Sequence, residues 1–177
     1  TVLSLVVYMI AMAISSLLGT FGHSISPGFW GLLAGIIFVY ICYNYQKFGI
    51  FTVFIVIHMI IFSVMGGAYL PWWVSSITGA LLADIVLRIF GYDNVVSQCV
   101  ALSLITIGSA CGAWIPIIFF VDSYKSNWIA RGQSVEAMDA SIKYGSGSWL
   151  ILGVICIIAL SCIGVLIARK ILKKYKK

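Results

Sequence analysis

Apolar positions in this chain fall in long blocks rather than in narrow stripes. From Lys47 to Asp84 no Asp, Glu, Lys or Arg intervenes. A helix that is apolar on every side belongs in lipid or deep inside a large protein, and crossing a hydrocarbon core of ~30 Å takes ~20 mostly apolar residues. Hydropathy and breaker residues together predict six spans, at about 2–19, 29–45, 49–66, 70–90, 95–121 and 149–171. The predicted breaks are Gly19 to Gly28 with Pro27, the polar notch Gln46-Lys47, Gly66-Gly67 ahead of Pro71, and the turn Gly91-Tyr92-Asp93-Asn94. The one long connection, Asp122 to Ser148, mixes both charge signs and ends in Gly145-Ser146-Gly147-Ser148; about 123–142 of it reads as a surface helix.

Composition sharpens this pattern into a class. Of 177 residues 62% are hydrophobic and 9% charged, against ~25% charged in an ordinary soluble domain. Six spans leave no length for a separate soluble unit, so residues 1–177 read as one all-α, polytopic membrane domain, a six-transmembrane-helix bundle. The run Thr1 to Leu18 has no basic lead and no small-residue cleavage site after it. It reads as a true span, truncated at its start, and not as a removable signal peptide. Five cysteines without a Cys-x-x-Cys pair, Cys42, Cys99, Cys111, Cys156 and Cys162, read as small buried hydrophobes.

Charge sets the expected orientation, because Lys and Arg gather on the cytoplasmic side of short loops. Placing both termini inside puts Lys47, Arg88, Arg169, Lys170, Lys173, Lys174, Lys176 and Lys177 there and leaves Lys125, Arg131 and Lys143 outside, where Asp122, Glu136 and Asp139 balance them. The basic tail follows a span directly, so it reads as an anchor to anionic lipid headgroups, at ~1 kcal/mol per basic residue, rather than as a nucleic-acid contact.

Small residues recur every fourth position in several spans: Ala11, Ser15 and Gly19; Gly31 and Gly35; Ser75, Gly79 and Ala83; Gly108 and Gly112. In lipid such faces let helix backbones approach closely, either within the bundle or against a partner. Asp84 and Arg88 stand one turn apart and are expected to pair locally, with a structural role. His58, within the third predicted span, must face the bundle or a cavity, and His23 sits in the first outer loop. Aromatic residues crowd the predicted outer ends, among them Tyr69, Trp72, Trp73, Trp114, Tyr124 and Trp128. An interfacial belt accounts for some of them; no tryptophan falls at the inner boundary, and that asymmetry points to an outward cavity that stacks a flat organic ligand. With His23 and His58 these six are the candidate ligand-binding residues. No catalytic or phosphate-loop signature is present, so no enzymatic activity is expected.

Five stretches, taken in order, carry a resemblance: Gly31-Leu32-Leu33-Ala34-Gly35; Lys47-Phe48-Gly49; Ile77-Thr78-Gly79-Ala80-Leu81-Leu82-Ala83-Asp84; Ile107-Gly108 with Pro116 and Asp122; and Arg169, Lys170, Leu172, Lys173 and Lys174. By them the chain resembles, over nearly its whole length, the Trep_Strep (MptD-type) family, regarded as S components of energy-coupling-factor (ECF) transporters. The resemblance implies a six-helix bundle in the bacterial cytoplasmic membrane that captures a micronutrient at its outer face, then docks on a membrane coupling (T) subunit driven by two ATPase subunits. It implies no cofactor of the chain's own. Haem or a related tetrapyrrole comes first as ligand, with His23 or His58 on the iron, and other vitamin-like solutes stay open. It also assigns Ala11, Ser15 and Gly19 to partner docking. The rival readings are a stand-alone ion-coupled carrier and an assembly subunit that binds no solute.

Overall fold

The computed structural model describes residues 2–65 and 69–173. The chain is all-α, and its described residues are 88% helical, forming nine helices and no strand. They are α1 (Val2–Ser16), α2 (Gly19–Ser24), α3 (Ser26–Asn44), α4 (Ile50–Val64), α5 (Leu70–Phe90), α6 (Val95–Phe119), α7 (Val121–Ala130), α8 (Val135–Tyr144) and α9 (Gly147–Leu172). Four of them, α3, α5, α6 and α9, are long and apolar enough to cross a membrane. The apolar helices α1 and α4 have 15 residues each, or about 22 Å at 1.5 Å per residue, short of a full hydrocarbon core.

Three expected boundaries shift for identifiable reasons. Pro27 does not interrupt the chain but lies in the first turn of α3, where its missing N–H costs nothing and its fixed φ suits the helix. The segment expected to be a loop at 19–28 holds α2, entered through Gly19 at φ 64°. The single surface helix expected over about 123–142 is two, α7 and α8, parted at Gly132, which takes φ 95°. The Gly66-Gly67 break and the basic residues Lys174, Lys176 and Lys177 lie outside the described residues.

Close backbone contact holds the bundle together. A Cβ on Gly79 would lie 2.5 Å from the Leu104 carbonyl oxygen, and one on Gly108 would lie 2.9 Å from the Gly79 Cα, so α5 and α6 cross nearly backbone to backbone. Gly35 meets Gly164 in the same way, where a Cβ would stand 2.6 Å from the Gly164 carbonyl carbon, and this seats α9 on α3. Thr106 of α6 and Ser161 of α9, both fully buried, share a hydrogen bond of 3.0 Å beside Gly31. These small-residue faces therefore serve internal packing. Tyr8 of α1 reaches His58 and Phe62 of α4, closing a circle that runs through α3, α9, α6 and α5.

The end of the bundle that carries residues 44–50, 90–95 and 172 is fastened by two polar devices. Asp84, fully buried on α5, accepts from the Phe51 and Thr52 backbone N–H groups at 3.2 and 2.8 Å and from the Thr52 hydroxyl at 2.7 Å. It thus caps the free N–H groups at the start of α4 from another helix. The expected Asp84–Arg88 pair is absent among the described ion pairs, because the carboxylate turns inward to α4. Arg169, read from sequence as part of the basic tail, donates to the Asp93 carbonyl and to Gln98 Oε1, each at 2.8 Å, and ties α9 to the α5–α6 turn.

Candidate functional site

The opposite end of the bundle opens into a cavity of about 760 Å³. Its floor is formed by Tyr8 and Met12 of α1 and Phe62 of α4; α2 contributes Thr20, His23 and Ser24, and α5 and α6 contribute Trp72, Ser109 and Trp114. Tyr69, just before α5, and Tyr124, Trp128, Gln133 and Ser141 of the α7–α8 connection close the remaining side. A volume of this order suits an organic molecule of drug or vitamin size.

The aromatic wall is fixed by polar tips. Trp72 Nε1 donates to Ser109 Oγ and Trp114 Nε1 to Ser24 Oγ, both at 3.1 Å. Trp72 also lies flush on Gly112, where a Cβ would come within 2.5 Å of Trp72 Cδ1. Pro116 lies inside α6, so the carbonyl of Gly112, four residues earlier, has no helical N–H to accept. The Tyr69 hydroxyl donates to that carbonyl and fills the gap. A prolyl break in α6 thereby creates the socket that positions a cavity tyrosine. Trp128 stands edge-on to Tyr69, ring centroids 5.7 Å apart, and to Tyr124 at 6.2 Å. Trp128 also carries the Arg131 guanidinium, 5.2 Å from its ring centroid. A Lys125–Asp139 ion pair links α7 to α8 beyond the rim.

Desolvation at the wall favours the neutral forms of its titratable groups, although the His23 side chain is itself exposed. This desolvation lowers the His23 pKa below its ordinary value and raises those of the Tyr69 and Tyr124 hydroxyls. Neighbouring Tyr124 reinforces the rise at Tyr69, and Arg131 partly opposes it.

Six of the eight candidate ligand residues meet at this cavity: His23, Tyr69, Trp72, Trp114, Tyr124 and Trp128. His58 and Trp73 do not line it. His58 is 4% exposed and lies behind the floor among Tyr8, Trp30, Phe54 and Phe62, at centroid distances of 5.0 to 6.4 Å. Of the two histidines only His23 can touch a molecule in the cavity. Trp73 turns toward the end of α4 and donates to Ser63 Oγ at 3.0 Å. Among the described residues no three His, Cys, Asp or Glu side chains gather to hold a metal ion.

The docking assignment also changes. Ala11 and Ser15 are fully buried, with the α1 face that carries them turned onto the chain's own helices. A Cβ on Gly22 would collide with the Ser15 carbonyl, which shows how tightly α2 folds back there. Gly19 makes the α1–α2 turn and lines the cavity. The groove expected to receive a partner is filled from within. Sequence reading missed Tyr8, Thr20, Ser24 and Ser109, whose signal was only that hydroxyls in a lipid-facing helix must turn inward.

Compared with known proteins, residues 1–177 match the family Trep_Strep, described as a hypothetical bacterial integral membrane protein. No curated protein and no solved structure matches the chain.

Proposed function

The chain belongs to the Trep_Strep family of bacterial integral membrane proteins, and from that premise we propose that it is the substrate-binding subunit of an ECF-type importer for an organic micronutrient. The observation that carries this reading is the cavity of about 760 Å³, open at one end of the bundle and walled by ordered aromatic rings and hydroxyls. Orientation supports it. Lys47, Arg88, Arg169, Lys170 and Lys173 gather at the end remote from the cavity, which the distribution of basic residues assigns to the cytoplasm, so the cavity faces outward and both termini lie inside. A chain built this way captures its solute; coupling and ATPase subunits supply the energy. Haem, if it is the solute, takes its iron ligand from His23 alone.

The test is reconstitution in liposomes. The chain alone should bind a solute and transport none, and uptake should need ATP together with the coupling and ATPase subunits. Uptake by the chain alone would replace this reading with an ion-coupled carrier. Stable assembly without saturable binding of any solute would replace it with a structural subunit.

A further inference from the structure

The cavity wall is uncharged from floor to rim. No Asp, Glu, Lys or Arg lines it among the described residues. The His23 pKa is displaced downward and those of the two half-buried rim tyrosines upward, which favours the neutral form of each. Helix ends of both signs meet there, since α3 and α5 begin at this end while α1, α4 and α6 finish, so their dipoles offset one another. Arg131 stacks on Trp128 and acts on Tyr69, but it does not line the cavity and is exposed; a solvated charge of that kind holds an anion weakly. Lys125 is already engaged by Asp139.

What the wall does offer is ring faces and neutral hydrogen-bonding groups. Trp72 and Trp114 have their N–H groups committed to Ser109 and Ser24; Trp72, half-buried, keeps ring surface for a guest, while Trp114, 4% exposed, contributes little of its ring. The two serine hydroxyls accept from the indoles and keep their own protons to donate. His23, neutral, has one donor and one acceptor nitrogen, and the Gln133 amide has both functions as well. A carboxylate or phosphate brought into such a chamber loses its water and meets no charge of opposite sign.

We infer that the substrate is an uncharged planar ring system bearing neutral hydrogen-bonding groups such as ring nitrogen, amide or hydroxyl, and that ring systems carrying carboxylate or phosphate are rejected. The inference rests on the substrate-binding reading above and narrows it: dicarboxylate tetrapyrroles, haem among them, fall outside.

The test uses the purified full chain and quenching of its tryptophan fluorescence. The probes are two matched pairs, riboflavin with riboflavin 5′-phosphate and pterin with pterin-6-carboxylate, together with haem. Within any pair that binds saturably, the neutral member should bind at least tenfold more tightly, and haem should not saturate. Equal or tighter binding of the ionic member, or saturable haem binding, overturns the inference and leaves the substrate-binding reading standing. So does a loss of such anion binding in Arg131→Gln, which would trace the affinity to the rim. If none of the five binds, mass spectrometry of the small molecule that co-purifies from the native membrane decides: a molecule uncharged at pH 7 supports the inference and an ionic one overturns it. A chain that carries no molecule and binds none of the five overturns both readings.

Discussion

Replacing Asp84 by Ala tests how the bundle satisfies its polar groups in lipid. The carboxylate accepts three hydrogen bonds from the start of α4, at 2.7, 2.8 and 3.2 Å, from a fully buried position. Hydrogen bonds to a charged group contribute ~1.5–3 kcal/mol each, and a carboxylate at a partly buried helix N-terminus adds up to ~2 kcal/mol. The simple sum overshoots, because Thr52 is half-buried and a water admitted after the substitution recovers part of the loss. A net cost of about 3–5 kcal/mol remains, or roughly a 10 °C fall in melting temperature for a domain of this size. Asp84→Asn keeps one acceptor but turns an amide donor toward N–H donors, and should cost about half as much. Thermal unfolding followed by tryptophan fluorescence in detergent measures both. Arg88→Gln is the control: the sequence pairs Arg88 with Asp84, the structure does not, and the change should stay within ~0.5 kcal/mol, as surface substitutions do. If Arg88→Gln destabilises as much as Asp84→Ala, or if Asp84→Ala melts within 2 °C of the parent (about 0.5–1 kcal/mol), the trans-capping argument is wrong.

Gly108→Ala should cost about 1–3 kcal/mol by wedging α5 off α6, since its new methyl would meet the Ser75 carbonyl at 2.8 Å and the Gly79 Cα at 2.9 Å; Gly153→Ala, 3.3 Å from a Trp114 ring carbon, should be nearly neutral in the same melting assay. Tyr69→Phe should destabilise by ~1–2 kcal/mol by orphaning the Gly112 carbonyl, and far less in a Pro116→Ala background, where the substituted residue restores the helical N–H; equal costs in both backgrounds, in a double-mutant cycle, would refute the socket. Partial desolvation lowers the pKa of the exposed His23 below its ordinary 6.5, so the unfolded chain takes up the proton first as pH falls. Stability linked to His23 should therefore be complete above about pH 6.5 and decline below it, a slope that His23→Gln should abolish in melts between pH 7.5 and 5. His58→Phe should leave solute affinity unchanged and stability equal or higher, because it removes a buried Nδ1 that has no hydrogen-bond partner and touches no cavity surface; a shifted binding curve would put His58 back in the site.

The class, the helical segments and most of the aromatic wall were legible because hydropathy and aromatic position report the bilayer directly. Facing was not. In water an apolar stripe marks the inside, but in lipid both sides of a helix are apolar, and only small or polar residues separate them. Hence Gly79 and Gly108 were recognised as contact positions, yet the same spacing at Ala11 and Ser15 was equally consistent with a partner and with the chain's own fold, and the fold occupies it. Asp84 illustrates a second limit. Spacing shows an i, i+4 neighbour, while its actual partners lie 32 and 33 residues away and follow only from the α4–α5 contact. Pro116 reads as a kink from sequence; that it frees a carbonyl for a tyrosine 43 residues distant needs the geometry.

These contacts divide the cavity wall into a fixed side and a loosely held one. In hydrocarbon an unsatisfied backbone group is costly, and the helical ladder leaves such groups at the start of α4 and at Gly112. Asp84 closes the first, joining α4 to α5 at one end of the bundle, and Tyr69 the second, joining the start of α5 to α6 at the other, where Trp72 is seated on the same Gly112. Trp114 joins α6 to α2 through Ser24. Among the described residues the α7–α8 side is held by side-chain contacts near the surface, Tyr124 against Tyr69 and Lys125 with Asp139. Neither helix has more than one buried residue, and their ion pair joins side chains 31% and 56% exposed, where solvent screening leaves little net attraction. If the chain binds a solute as proposed, the wall yields most readily at Tyr124 and Trp128, ahead of rings on α5 and α6 whose geometry the bundle already sets.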